Sequence, residues 1–531
     1  MRAHPMMRER RNRVSRAIRH MFHSMGLNHY FIQEKISRRG NTVAYLFGIL
    51  FLFLSISMLA PLAVAYVYGD DMRPWIYPIL LTALLGIPLL LRFRPADTTR
   101  PTEALFVVTN AWLMVMVFGA IPYVIYGMNM VDALFETMSG FTTTGATIML
   151  NIESWPKSLL FWRSMTQWLG GAGIILVFIT IFPLLGVAGR SLARKEFAGM
   201  DVQHFSRRIQ EESMKFHYIY IGLSALQFLL LLLTGIGVYD SFTVMFSTLS
   251  TGGFSPHTDS IAFYNNLGVE WIVIIFMFLS GTNFYLHFQA LRGRDLKSYW
   301  HNAEFRTYAI ILALASLAGV FLLWGNPYTD VFEVITDSTF HMISLMTSTG
   351  FATTDYSLWG GALAFVIFIL VVIGGSSGST AGGLKVVRII LLKKFISTAI
   401  YKTVHPRAIF SIKLDGRTLT ESVFSSVMAV VLCYLSTMVV VSAALILMGI
   451  ETSQAITAAI STISNAGPAI GELGPLGTYG SMPDLAKIVL IFGMWAGRLE
   501  FLTVFALMTP VFWRELLRYR RTADVRHHHQ K

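Results

Sequence analysis

Four small polar motifs recur along the chain: Thr142-Thr143-Thr144-Gly145-Ala146, Leu249-Ser250-Thr251-Gly252-Gly253, Thr347-Ser348-Thr349-Gly350-Phe351 and Ser464-Asn465-Ala466-Gly467-Pro468. The glycines Gly145, Gly252, Gly350 and Gly467 lie 107, 98 and 117 residues apart. No motif contains a carboxylate, so the chemistry on offer is that of backbone carbonyls and hydroxyls. Four such loops meeting at an axis can present rings of carbonyl oxygens that replace the hydration shell of a cation. Glycine permits the backbone torsions that turn those carbonyls inward. Carbonyl coordination suits a weakly hydrated monovalent ion better than a divalent one. One S-T-G tripeptide would be an ordinary polar loop; four at matching places are not.

Each motif follows a short apolar segment: Val131–Gly140, Asp240–Leu249, Asp330–Thr347 and Thr452–Ile463. Crossing a hydrocarbon core takes roughly 20 residues of helix. These segments are shorter and read as re-entrant half-helices, whose carboxyl-terminal ends add partial negative charge at the axis. Between them lie longer apolar stretches. Ten spans are predicted, at about 42–68, 74–93, 104–126, 158–187, 216–238, 267–290, 307–325, 361–395, 421–449 and 484–512. After a leading pair, the chain repeats span, half-helix, motif, span, which implies pseudo-fourfold symmetry. Composition agrees: 54% of the 531 residues are hydrophobic and 14% charged, against about 25% charged in an average soluble protein. A soluble globular enzyme and a disordered chain are both excluded. Cys433 is the sole cysteine, so an intrachain disulfide or a cysteine metal cluster is excluded too.

The surplus of twelve positive charges has a direction. With no cleavable signal peptide expected, the basic segment 1–41 stays inside and ten spans bring the carboxyl terminus to the same side. The inner segments then hold 37 of the 42 lysines and arginines, and the outer loops hold Arg73, Lys157 and Lys487. That asymmetry obeys the positive-inside rule and displaces a nucleic-acid surface as the explanation of the charge. Arg8, Arg10, Arg11 and Arg13 also suit anionic lipid. Two arginines, Arg163 and Arg498, fall within spans. Arg163 lies near a span end and is expected to snorkel. Arg498 lies midway along the last span, where a charge needs a cavity or a partner. Glu500, two residues on, does not share its helix face.

With these motifs the chain resembles the Trk/Ktr/HKT superfamily of cation transporters, and within it the TrkH/TrkG-like membrane subunits of potassium uptake. The resemblance covers roughly residues 42–513. It includes Gln167-Trp168-Leu169-Gly170-Gly171-Ala172-Gly173, Gly378-Ser379-Thr380-Ala381-Gly382-Gly383-Leu384-Lys385, His405-Pro406-Arg407 and Gly497-Arg498-Leu499-Glu500. It implies an all-α polytopic membrane protein: a leading helix pair at 42–100, membrane-pore-membrane repeats at 101–190, 191–295, 296–400 and 401–513, and a cytoplasmic tail at 514–531. Potassium would be the substrate, with no organic cofactor in this chain. Carried over position by position, the ion contacts fall on Thr143, Thr144, Ser250, Thr251, Ser348, Thr349, Asn465 and Ala466. Glycine at all four filter positions favours potassium over sodium, although Asn465-Ala466 departs from the pattern of the other motifs. The resemblance further implies a homodimer in the bacterial inner membrane, both termini cytoplasmic, with a cytoplasmic ring of nucleotide-binding, TrkA-like regulatory subunits. The basic loops 190–215 and 385–417 are plausible docking surfaces for that ring.

The eighth span is interrupted by Gly374-Gly375-Ser376-Ser377-Gly378-Ser379-Thr380-Ala381-Gly382-Gly383. Small residues there can serve close helix packing. The resemblance instead implies an intramembrane loop that blocks the pore, with Arg498 projecting beneath the filter. A phosphate loop fails, because Lys385 is displaced by one residue and no Ser or Thr follows it. Arg526-His527-His528-His529 reads as a tail rather than a metal site. An alternative class, a symporter coupling potassium to protons or sodium, would need acidic residues at the midplane, for which Glu136, Glu333, Asp337 and Glu500 are the candidates. A membrane enzyme has no nucleophile–base or metal constellation to support it.

Overall fold

The structure, a computed structural model, describes residues 39–94, 101–180, 202–293, 295–325, 330–407, 413–415, 417–419, 421–469 and 471–516. The basic segment 1–38, residues 190–201 of the first docking loop, residues 408–412 of the second, and the histidine tail lie outside these.

Helix dominates because apolar runs in a bilayer must satisfy their backbone groups internally. The leading pair is α1 (Thr42–Ser57) continued by α2 (Leu59–Tyr68), then α3 (Arg73–Arg92). Asn41 starts α1 by accepting from the Ala44 N–H at 3.1 Å. Strand β1 (Arg39–Gly40) pairs in parallel with β2 (Phe93–Arg94), tying the pair's ends together.

Four times thereafter a short helix stands between longer ones. In the first unit α4 (Pro101–Gly119) and α5 (Ile121–Ile125) precede the short α6 (Met130–Phe141), and α7 (Lys157–Thr180) follows. The second unit runs α8 (Val202–Leu233), short α9 (Val238–Leu249), then α10 (Leu267–Ser280) and α11 (Phe284–Gly293). After α12 (Lys297–His301), the third runs α13 (Ala303–Leu323), short α14 (Val331–Met346), α15 (Gly361–Ile373) and α16 (Val386–Val404). The hairpin of β3 (Lys413–Leu414) and β4 (Arg417–Thr418) leads to the fourth unit. That unit is α17 (Glu421–Leu447), short α18 (Thr452–Ile463), α19 (Asp484–Leu499) and α20 (Phe501–Leu507). The short helices have 12, 12, 16 and 12 residues. At 1.5 Å per residue, none spans a core about 30 Å thick.

Among the described residues, six helices are long and apolar enough to cross a membrane: Thr42–Tyr68, Arg73–Arg92, Thr102–Ile125, Lys215–Leu233, Ala303–Leu323 and Val423–Leu447. Two further pairs qualify jointly but are sharply bent, α10 with α11 by 96° and α19 with α20 by 114°. The two other expected spans correspond to Lys157–Thr180 and to the interrupted α15 and α16. Large apolar side chains such as Leu84, Phe321 and Leu447 stand on the outside, as they do where the solvent is lipid. The chain is a multi-pass helical membrane protein.

Two breaks correct the sequence expectation. The sixth span was expected to be continuous but turns at Gly281-Thr282-Asn283, where the Cβ of any larger residue at 281 would meet the Tyr308 hydroxyl and Thr347. The last span was also expected to be continuous and turns at Glu500, which has a left-handed φ of 64°. Apolar periodicity cannot reveal such turns, because both flanking segments remain hydrophobic.

Candidate functional site: four loops and the segment beneath them

Each short helix gives way to a loop of the same geometry. Thr143, Thr251, Ser348 and Asn465 have φ of 52°, 54°, 57° and 55°. Two residues later Gly145, Gly253, Gly350 and Gly467 have φ of 82°, 76°, 79° and 89°. Left-handed torsions are strained for threonine and serine, and such strain collects at functional sites. The residue between each pair donates its N–H to a serine carbonyl five positions back: Thr144 to Ser139, Gly252 to Ser247, Thr349 to Ser344 and Ala466 to Ser461, at 2.7–2.9 Å. The register of the second loop therefore differs by one from the sequence expectation. Gly253, not Gly252, matches the other three glycines, and Thr251-Gly252 occupies the place expected for Ser250-Thr251. With two adjacent glycines the motif alone is ambiguous. The serine six residues before each glycine would have resolved it.

The four glycines close a ring. A Cβ on Gly145 would overlap the Gly252 carbonyl oxygen, one on Gly253 that of Thr349, one on Gly350 that of Ala466, and one on Gly467 that of Thr144. Each loop thus meets the next in chain order, and the fourth returns to the first. Above the ring the four glycines line a cavity of about 510 Å³, which Arg163, Ser255, His257 and Tyr479 also border.

Buried side chains brace this ring from behind. Gln167 on α7 donates from Nε2 to the Gly252 carbonyl at 2.6 Å and accepts from the Phe254 N–H at 3.0 Å. The Tyr479 hydroxyl donates to the Gly467 carbonyl at 2.8 Å. Asn465 takes the left-handed torsion that asparagine tolerates. Its Nδ2 joins the fourth loop to the Thr144 hydroxyl and to the Met494 carbonyl, both at 3.0 Å.

Arg163 does not snorkel: it is 1% exposed. Its Nε meets Glu136 Oε1 at 2.5 Å, its Nη1 donates to the Ser255 carbonyl at 2.8 Å, and its guanidinium lies 3.6 Å from the Phe254 ring centroid. Glu136 in turn accepts from the Ile148 N–H and the Thr147 hydroxyl. The pair links the chain after the first loop to the chain after the second. Removing one member of a buried pair costs roughly 3–5 kcal/mol, so Arg163→Gln should lower the melting temperature in detergent markedly. A melting temperature equal to the parent's would contradict this bracing role.

Beneath the ring, residues 374–385 form a loop that leaves the membrane helix and returns beside its own start. The Leu384 and Lys385 N–H groups donate to the Val372 and Ile373 carbonyls at 3.0 and 2.9 Å. Gly374, Gly378 and Gly383 take φ of 73°, 72° and 76°, while Gly375 and Gly382 are needed for space. The loop presses on the ends of three short helices. The Thr380 hydroxyl donates to the Leu249 carbonyl, the Gly382 N–H to the Ser348 hydroxyl, and the Gly383 N–H to the Ser464 carbonyl. The space between this loop and the fourth loop is about 20 Å³, room for about one water molecule.

Arg498 is buried there, at the end of α19 rather than midway along a continuous span. Its Nη1 donates to the Thr380 carbonyl at 2.8 Å, while Nε and Nη2 find no acceptor among the described residues. Glu500 points elsewhere, meeting Arg388 Nη2 at 2.5 Å. The acidic candidates for ion coupling are placed as follows. Glu136 and Glu500 hold arginines, Asp337 accepts from the Thr353 hydroxyl at 2.7 Å, and Glu333 is exposed.

The family model of the TrkH cation transport proteins matches residues 78–512. The chain is 34% identical over 475 residues to the Trk system potassium uptake protein TrkH of Escherichia coli (strain K12), covering 88% of this chain and 98% of that protein. It is 30% identical over 487 residues to the potassium uptake protein TrkI of Halomonas elongata, covering 90% and 98%. A crystal structure of the potassium transporter TrkH from Vibrio parahaemolyticus superposes with a TM-score of 0.82 at 33% identity, covering 89% of this chain and 99% of that one.

Proposed function

The chain belongs to the TrkH family of cation transport proteins, whose members are transporters rather than enzymes, and from that premise we propose that it conducts potassium into the cell. On this reading potassium is the substrate, and the ring of loops is a channel-like selectivity filter. The ion contacts are Thr143-Thr144-Gly145, Thr251-Gly252-Gly253, Ser348-Thr349-Gly350 and Asn465-Ala466-Gly467. The loop at 374–383, latched by Arg498, is the gate beneath it. A fixed positive charge at that place raises a barrier to a cation.

One observation carries this reading. Four loops of matching torsion and hydrogen bonding close on one another in chain order, which is what pseudo-fourfold repeats around a single ion path require. The helices that end at the loops direct their carboxyl-terminal dipoles toward the ring, favouring a cation. Ten spans in four repeats behind a leading pair, with the repeat boundaries given above, accommodate the six long apolar helices, the two bent pairs, Lys157–Thr180 and the interrupted eighth. The excess of basic residues on one face supports cytoplasmic termini in a bacterial inner membrane. A homodimer and a TrkA-like regulatory subunit belong to the same proposal. Coupling to protons or sodium has less support, since the buried acidic candidates already hold partners.

The test is selectivity. Gly350→Ser places a side chain against the Ala466 carbonyl at a left-handed torsion. In liposomes it should reduce potassium-over-sodium discrimination about tenfold, equivalent to about 1.4 kcal/mol, without loss of expression. Parental discrimination would remove the filter assignment.

A further inference from the structure

Glu304 opens α13 and is 7% exposed, yet neither the filter nor the Arg498 latch uses it. Its Oε1 accepts from two backbone N–H groups, Ser377 at 2.6 Å and Val387 at 3.2 Å. Ser377 lies in the entering limb of the intramembrane loop, and Val387 lies in the first turn of α16, just past its exit. One carboxylate oxygen therefore joins both sides of the loop's neck. Burial spares these two hydrogen bonds from competing water, so each is stronger than it would be at the surface.

The same helix end is tied outward. The Ala303 N–H donates to Asp415 Oδ1 at 3.1 Å. Asp415 sits in the turn of the β3–β4 hairpin with a left-handed φ of 46°. On α16, Lys394 Nζ donates to the Lys413 carbonyl of that hairpin. The hairpin thus grips α16, which begins where the loop ends, and α13, whose Glu304 holds the loop's neck. It lies at the end of the basic segment 385–417.

We propose that Glu304 is the positioning residue that holds the intramembrane loop across the ion path, and that the Lys413–Thr418 hairpin is the lever whose movement releases it. The inference rests on the reading of 374–383 as a gate. Displacing the hairpin draws the start of α13 and the body of α16 with it. Glu304 can then no longer reach Ser377 and Val387 together, and the neck of the loop opens.

The test is rubidium influx into liposomes containing the full chain without any regulatory subunit. Glu304→Ala should raise basal influx about tenfold, the equivalent of about 1.4 kcal/mol. Glu304→Gln keeps a carbonyl acceptor in the same place and should return most of the way to the parent. Asp415→Ala, on the exposed hairpin, should raise influx severalfold in the parent and add nothing to Glu304→Ala. The rubidium-to-sodium ratio should stay parental throughout, because Glu304 bonds Ser377 and Val387 and no residue of the ring; a changed ratio would mean a disturbed filter and overturn the assignment. Arg498→Ala is the control for the gate itself. If Arg498→Ala raises influx and Glu304→Ala does not, the role of Glu304 is overturned and the gate stands. If neither raises it, the gate falls and this inference falls with it. If Glu304→Ala fails to reconstitute, Asp415→Ala decides, and parental influx from it overturns the lever.

Discussion

Gly253→Ala should abolish selective potassium uptake, while Gly252→Ala, one residue earlier, should retain a substantial part of it. The two substitutions add the same methyl group to neighbouring residues of one loop, so their difference isolates position. Gly253 has a φ of 76°, and its new Cβ would overlap the carbonyl of Thr349 in the next loop. The torsion alone costs about 1–2 kcal/mol. The clash is with backbone, which cannot swing aside, so the ring must open at that joint. Gly252 is not in the left-handed region, and its new Cβ meets the side chain of Gln167, which can shift at the expense of its two hydrogen bonds. Uptake by Gly253→Ala should therefore fall at least about tenfold below that of Gly252→Ala, a gap of about 1.4 kcal/mol in the barrier. Potassium and sodium fluxes measured side by side in liposomes check this. The reverse order would restore the register expected from the S-T-G motif.

Arg498→Ala should raise basal flux without altering selectivity. Two things are lost together: the bond from Nη1 to the Thr380 carbonyl, which pins the middle of the loop, and a buried positive charge, which on the proposed reading stands beside the ion path. A unit charge 4 Å from a permeating cation opposes it by about 4 kcal/mol at an effective dielectric of 20. Much of that is screened in a wet pore, so an increase of about tenfold or more is the expected scale. Arg498→Lys keeps the charge but loses the planar fork and should fall between parent and alanine. Flux from Arg498→Ala equal to the parent's would remove the arginine from the ion path.

The difference between what could be read and what had to be seen is clearest at these arginines. Arg163 and Arg498 are the charges that topology leaves over, and position along the span separates them wrongly, since the arginine near a span end is buried like the other. Arg163 proved to be a brace because Glu136, on a different helix, and Ser255, beyond the second loop, converge on it. Arg498 ends beside Thr380, more than a hundred residues away in sequence, with two of its donors unanswered. Such pairings depend on how helices cross, and helix crossing leaves no periodic trace in a single chain. Glu304 escaped notice for the same reason, since both its partners are backbone groups that any residue would supply.

From the order of residues alone came the features with a local cause. Apolar runs of bilayer length, short runs that cannot cross, and an uneven distribution of lysine and arginine each follow from the cost of polar groups in hydrocarbon. The four loops were visible because only small residues fit where backbones converge. Tertiary structure alone decided the breaks at Gly281 and Glu500 and the closure of one loop on the next. Each of these depends on an atom of a distant segment occupying the space beside a given Cα, and local composition carries no record of that neighbour.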